Sequence, residues 1–211
     1  MPRALDELAF YAPLLSRPLP DVAANLETFA ALLIKWNKTH NLVSRETVGE
    51  LWPRHIADSL QLLPLIRPTD KTFLDLGSGG GFPAIPLAIA LRRRHILVEP
   101  VGKKASFLKT VSRELGLDLR VEARRAEEVA DLPAVNVITA RALARLPDIF
   151  ELAARFWGPN TRALLHKGQD YSEELAESRT FFEFDVIVTE SRTDPRGAIL
   201  TVSNLVGKRA G

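Results

Sequence analysis

From Thr72 onward the chain alternates short aliphatic runs with helix-length amphipathic stretches, and this rhythm narrows its fold more than any other feature. TFLDLG, HILVEP, LRVEAR, VNVITAR and TRALLHKG read as strands. AIPLAIALRRR, KKASFLKTVSRELG and LPDIFELAARFW read as helices, with Pro86 tolerated in a first turn and Gly116 placed to close a helix at C′. After a helix near SEELAESRTFF, the runs FDVIVTES and ILTVSNL are expected to pair antiparallel at a sheet edge. Repeated strand–helix units imply an α/β fold whose mostly parallel central sheet carries helices on both faces. Ligands of such sheets sit at the carboxyl ends of the strands.

The segment before Thr72 has a different period. DVAANLETFAALLIKWNK places Leu26, Phe29, Leu33 and Trp36 at helical spacing, with Asp21 as the expected N-cap. TVGELWPRHIADSLQLLPLI does the same with Leu51, Ile56, Leu60 and Leu63. The turn-rich RPTDK marks a boundary, so residues 1–68 read as a helical extension and 69–211 as the sheet-bearing core of one compact unit.

The first strand runs into LDLGSGGGFP, residues 74–83, and glycines placed after a strand imply a ligand against bare backbone. A nucleoside-triphosphate loop needs a lysine and a hydroxyl after its last glycine, and Phe82 and Pro83 stand there instead. The dinucleotide fingerprint begun at Gly77 needs glycine at position 82, and Phe82 breaks it. What remains is a looser turn behind Asp75, which fits S-adenosylmethionine, an adenosine cofactor without a pyrophosphate. Glu99 ends the second strand twenty residues beyond Gly79, where a carboxylate accepts hydrogen bonds from ribose hydroxyls. That acid argues for adenosine without choosing the cofactor.

DLGSGGGFPAIPLAI, the strand ending in Glu99 and VGKKASFLKTV together resemble the bacterial small-subunit ribosomal RNA methyltransferase G family, also called GidB. The likeness continues through RAEEV (125–129), ARALARLPDI (140–149), HKGQ (166–169), and upstream through NLVS (41–44) and RHIADS (54–59). It implies a Rossmann-like class I methyltransferase that moves a methyl group from S-adenosylmethionine to N7 of one guanine in the decoding region of 16S rRNA. By the same resemblance Gly77, Gly79 and Phe82 line the cofactor, Glu99 faces the ribose, Ala126 and Glu127 bracket the adenine, and Arg141 serves the methionine end or the adjoining active site. The family often has an Arg-His pair before its last strand; here Arg196 precedes Gly197 and Ala198.

The chemistry suits this reading. Guanine N7 carries an in-plane lone pair and no proton, so no base is required and alignment supplies most of the rate. With no cysteine, the chain lacks the nucleophile of ring-carbon methylation, any disulfide and any thiolate metal site. At the end of the fourth strand stands ARALARLP, not the Asn-Pro-Pro-aromatic turn of adenine amino methylation. Lys103, Lys104, Arg124, Arg125, Arg141, Arg145 and Lys167 all follow strands on the expected cofactor side, and phosphate contacts are expected of them. The two lysines oppose a helix dipole by ~0.3–1 kcal/mol each, which a phosphate partner would offset.

Arg92, Arg93 and Arg94 are expected to be structural, as is the packing of Trp36, Trp52 and Trp157 on helical stripes. His55 is expected to bond locally with Asp58 and Ser59; His40 and His95 show no metal spacing, and His166 stands at a strand end. The partner expected is 16S rRNA or the 30S subunit, with no membrane, no metal and a monomeric protein. No apolar run approaches the ~18 residues of a membrane span, and MPRALDELAF is charged where a signal peptide is apolar, so a cytoplasmic protein is expected. A methyltransferase of small molecules or proteins, a nonenzymatic RNA- or adenosine-binding module and, against Phe82, a nicotinamide oxidoreductase are the competing readings.

Overall fold

A computed structural model describes residues 8–44 and 47–208. The sheet comprises β1 (Thr72–Leu76), β2 (Arg94–Val98), β3 (Leu119–Glu122), β4 (Val137–Arg141), β5 (Arg162–Lys167), β6 (Phe182–Glu190) and β7 (Ala198–Gly207). Their order is β3-β2-β1-β4-β5-β7-β6. The first five strands are parallel, and β7 inserts antiparallel between β5 and β6. The expected antiparallel edge pair is present, and its inner strand also closes the parallel block.

The helices are α1 (Leu19–His40), α2 (Ala84–Leu91), α3 (Gly102–Leu115), α4 (Leu146–Ala154) and α5 (Tyr171–Phe181). Asp21 does not cap α1: Pro18 holds the N-cap position, and Asp21 lies in the first turn, 3.6 Å from Arg17. Two prolines pre-set for a first helical turn, Pro18 and Pro20, move the start upstream of the acid. The second N-terminal run is not one regular helix. It breaks into a 3-10 turn at Val48–Glu50, a π-helical stretch at Trp52–Ala57, one α turn at Asp58–Leu60 and a 3-10 turn at Leu63–Leu65. Pro53 and Pro64, which lack a donor, interrupt the regular ladder. Its apolar residues Leu51, Ile56, Leu60 and Leu63 are nevertheless buried.

Successive strand side chains point to opposite faces, and this parity sorts the core into two layers. Phe73, Leu97, Val137 and Leu164 pack with α1, α2, α3 and the 51–63 segment. Leu74, Leu76, Ile96, Val98, Ile138 and Leu165 pack on the other face with α4 and the strands β6 and β7. The N-terminal helices therefore share a core with half of the sheet. Continuing each strand of the first set to its carboxyl end reaches Asp75, Glu99, Thr139, Arg141 and His166, so the polar ends share the face covered by the N-terminal segment.

The tryptophans pack as expected, with Trp36 5.7 Å from Phe107 and all three set against core clusters. Arg92, at the end of α2, closes α3 instead, donating to Leu115 and Gly116 carbonyls at 3.1 and 2.7 Å. Arg93 donates to the carbonyls of Arg67 and Asp70, and Arg94 pairs with Asp118.

Candidate active site

The glycine turn is built so that side chains are excluded. Gly77 has φ +68°, and a Cβ there would lie 2.5 Å from Leu143 Cδ1; Gly81 has φ +90°, and a Cβ would lie 2.4 Å from Ile85 Cγ1. Gly79 also has positive φ, at +53°, and a Cβ there would meet only the Gly77 carbonyl oxygen, at 3.8 Å. Only glycine takes these conformations without strain. The Gly77 and Ser78 amides both donate to the Val98 carbonyl at 3.0 Å, tying the turn to β2. A cis Phe82–Pro83 peptide leads into α2.

Phe82 is where the N-terminal segment meets the turn. Its ring is buried, 5.3 Å from Phe29 and 4.9 Å from His55, with Arg141 Cζ 5.5 Å from its centroid. The residue that breaks the dinucleotide fingerprint thus anchors α1 over the cleft.

Two cavities flank the turn. The larger, about 370 Å³, is lined by Gly77, Gly79, Phe82, Glu99, Lys104 and Arg141, with Leu42, Val43 and His55 contributed from the N-terminal segment. The smaller, about 140 Å³ and mostly apolar, is lined by Leu76, Val98, Arg125, Ala126, Glu127 and Leu152. Gly77, Pro100 and Leu143 belong to both, so the cleft crosses the carboxyl edge of the sheet from one layer to the other. The structure therefore brings Gly77, Gly79, Phe82, Glu99, Ala126, Glu127 and Arg141 to one place, split between its two halves.

Glu99 is buried and braces the turn. Its Oε2 accepts from the Gly79 amide at 2.7 Å and its Oε1 from the Val101 amide at 2.9 Å. Each oxygen keeps a further lone pair for a ligand hydroxyl. Asp75 is 1 % exposed: Oδ1 accepts from Thr139 at 2.6 Å, and Oδ2 has no partner. Burial pushes its carboxyl up to about 7, against the opposing pull of the Thr139 bond and of Arg141.

Arg141 is strapped rather than free. It donates to Asp58 Oδ2 at 2.7 Å and the Arg54 carbonyl at 3.2 Å, and its Nη2 donates to His55 Nδ1. Burial lowers its pKa, and Asp58 counteracts this. Asp58 also accepts from Gln61 and Thr193, and its backbone carbonyl accepts from His166 Nε2 at 2.9 Å. Burial, then Arg141, lowers His55 to about 4, so its ring is neutral. The expectation for His55 is corrected accordingly: Ser59 bonds the backbone carbonyl, while the ring serves Arg141 and Phe82. The signals for His55 and Asp58 lay in RHIADS, but a regular helix hid them; the π-helical stretch at Trp52–Ala57 carries His55 to the cleft.

The basic residues divide. Lys103 is exposed and Lys104 lines the cleft; neither has a carboxylate within 4.0 Å among the described residues. Arg124 pairs with Glu122 at 2.9 Å, Arg125 lies 3.9 Å from Glu127, and Arg145 pairs with Glu177 at 2.5 Å. Lys167 departs furthest from the expected rim position. Parity sends it to the α5 face, where its buried ammonium bonds Glu174 at 2.6 Å and the Ala144 carbonyl at 3.0 Å. Among the described residues no group of three or more His, Asp or Glu is arranged to hold a metal, and no helix is long and apolar enough to cross a membrane.

The cleft suits S-adenosylmethionine on its own geometry: bare backbone at Gly77 and Gly79, a braced carboxylate at Glu99, and an apolar slot at Ala126. Solved structures share the fold. A variant of MtNAS in complex with S-adenosylmethionine superposes with a TM-score of 0.56 at 17% identity, covering 86% of this chain and 75% of that one. A ribosomal protein L11 methylase from Lactobacillus delbrueckii subsp. bulgaricus gives 0.57 at 15% identity, covering 71% and 78%. Sequence comparison goes further. The "Ribosomal RNA small subunit methyltransferase G" of Brucella ovis is 42% identical over 205 residues, 95% of this chain and 94% of its own, and that of Brucella suis biovar 1 matches equally. The profile of GidB, rRNA small subunit methyltransferase G, matches residues 22–196. The chain belongs to this family of S-adenosylmethionine-dependent rRNA methyltransferases.

Proposed function

We propose that the protein methylates N7 of a guanine in the decoding region of 16S rRNA, acting as a monomer in the cytoplasm without a metal ion. The observation that carries this reading is that His55, Glu99 and Arg141, which line the cofactor cleft, are engaged as positioning groups. His55 is neutral and bonded to Arg141, and the carboxylates of Glu99 and Asp58 are engaged by donors. N7 needs no deprotonation, so such a site suffices for it, whereas an amino or hydroxyl acceptor needs its proton removed.

When bound, S-adenosylmethionine supplies an electrophilic methyl group on a sulfonium. Gly77, Gly79 and Phe82 would hold its chain, Glu99 its ribose, and Ala126 and Glu127 its adenine. Arg141 is a positioning residue. Methylation leaves a cation on the purine, which a free guanidinium would repel; Asp58 at 2.7 Å offsets that charge. Water exclusion falls to Phe82, Leu42 and Val43 over the cleft.

Lys103 and Lys104 would meet rRNA phosphates, joined by Lys35 and Lys38 on α1 and Lys109 on α3, which likewise lack carboxylate partners among the described residues. Arg124, Arg125 and Arg145 would contribute after exchanging their carboxylates for phosphate. The test is incubation with methyl-labelled S-adenosylmethionine and either deproteinised rRNA or 30S subunits lacking the modification. The expected product, after digestion and mass analysis, is 7-methylguanosine at one site. Label in another base, or no label in RNA, refutes the reading.

A further inference from the structure

Behind Arg141 lies a third cavity, of about 500 Å³, sharing Arg141 and Ala142 with the cofactor cleft. It opens where β4 and β5 end and β7 begins, and its lining is dominated by polar groups, among them Arg54, Asp58, His166, Asp170 and Asp194. Most of its carboxylates are spoken for. Asp58 holds Arg141, Gln61 and Thr193; Glu174 holds Lys167 and the Leu146 amide; Asp194 accepts from the Arg196 amide at 3.0 Å. Asp170 is exposed at the cavity's rim, and its carboxylate has no protein partner among the described residues. It occupies the N-cap of α5, where an aspartate ordinarily accepts from the first-turn amides, yet it makes no such bond.

A second group in the wall is buried without a full set of partners. His166 has a side chain only 8 % exposed; its Nε2 bonds the Asp58 carbonyl, and Nδ1 has no partner. Burial keeps the ring neutral, so Nδ1 is a lone-pair acceptor.

We infer that this cavity receives the acceptor guanine and that Asp170 accepts hydrogen bonds from its N1–H and N2 amino group. The inference rests on the N7 reading above. With N7 turned toward the cofactor cleft, the purine's N1/N2 edge is on its far side and presents donors only. A carboxylate takes two such donors side by side, as it takes a guanidinium. Adenine would set its N1 lone pair against the same carboxylate. Bond formation at N7 breaks the sulfur–methyl bond, returns that electron pair to sulfur and leaves the purine cationic. The N1 proton then becomes more acidic, so its bond to Asp170 strengthens as the methyl arrives and lowers the barrier. Asp170 is thereby both a specificity-determining and a catalytic residue.

Asp170→Ser separates this from a helix-capping role, because serine caps as well as aspartate. Melting temperature and S-adenosylmethionine affinity should stay unchanged while kcat/KM on rRNA falls roughly 10–100-fold, the range of one lost bidentate pair. An rRNA fragment with inosine at the target, lacking the N2 amino group, should be methylated about tenfold more slowly than guanine by the wild type and equally by Asp170→Ser. Wild-type turnover by the variant, or an undiminished preference for guanine over inosine, overturns the inference. A wild type that labels no guanine N7 refutes the parent reading instead, and this one with it.

Discussion

The two ends of the parallel sheet hold similar charged residues in opposite circumstances. At the amino end, Arg162 and Asp70, 7% and 5% exposed, pair at 2.8 Å, and Asp70 also accepts from the Arg67 amide at 2.7 Å. Arg93 binds two carbonyls beside them, Arg92 closes a helix, and Arg94 meets Asp118. At the carboxyl end buried Asp75 keeps an unpartnered oxygen, while the exposed Asp170 and Lys103 and the half-buried Lys104 face solvent without a counter-charge. Buried polar groups are ordinarily satisfied. At the amino end the charges answer one another, leaving Arg162 Nε and His95 Nε2 buried without partners, whereas the carboxyl end leaves whole charged groups to solvent and external partners. A further cavity of about 430 Å³ borders the amino-side loops 129–136 and 155–161 but gathers no comparable set of unpaired charges.

The sharpest way to break the contrast is Arg162→Ala. It strands the buried Asp70 charge and should destabilise the protein by about 3–5 kcal/mol, lowering the melting midpoint by roughly 6–20 °C. Methyl transfer per folded molecule should be unchanged; calorimetric melting with an activity assay at low temperature decides it.

His95 comes next. It stacks 4.5 Å from Phe73 at the amino end, and burial lowers it to about 4. Between pH 6.5 and 4 the unfolded chain takes up this proton and the folded chain does not, so its contribution to stability is present above 6.5 and lost as pH falls toward 4. It amounts to about 3 kcal/mol by pH 4. His95→Leu should flatten stability against pH across that window, read by denaturant titration. Asp75, raised to about 7, works in the opposite sense, so a wild-type slope still present in the variant would assign it to other groups.

The smallest effect belongs to the open end. Glu99→Ala should weaken S-adenosylmethionine about 10–100-fold by removing charged hydrogen bonds, and lower stability by about 1–3 kcal/mol by stranding the Gly79 and Val101 amides. Titration calorimetry showing unchanged affinity would remove Glu99 from the cofactor's contacts.

Much of this was legible from residue order because it follows from local periodicity. Strand and helix alternation placed every parallel strand, and Gly77, Gly79 and Glu99 marked the cleft because turns and strand ends are local events. Lys167 was misjudged because position at a strand end does not reveal which face its side chain takes; strand parity, counted from Leu165, sends it to Glu174. Asp58 and His55 went unrecognised because Pro53 and a π-helical stretch alter the phase on which helical reasoning depends.

Residue order alone specified the layered α/β architecture, the glycine turn and the acids at strand ends, since each depends on neighbours within a few positions. The tertiary fold alone decided which charges are neutralised. The Arg141–Asp58 strap joins residues 83 apart in the chain, the Arg162–Asp70 pair joins residues 92 apart, and Asp170 borders the cavity behind Arg141 only after β4 and β5 align. Coulomb and hydrogen-bond energies depend on distance and burial, and neither exists until the sheet has brought distant segments together.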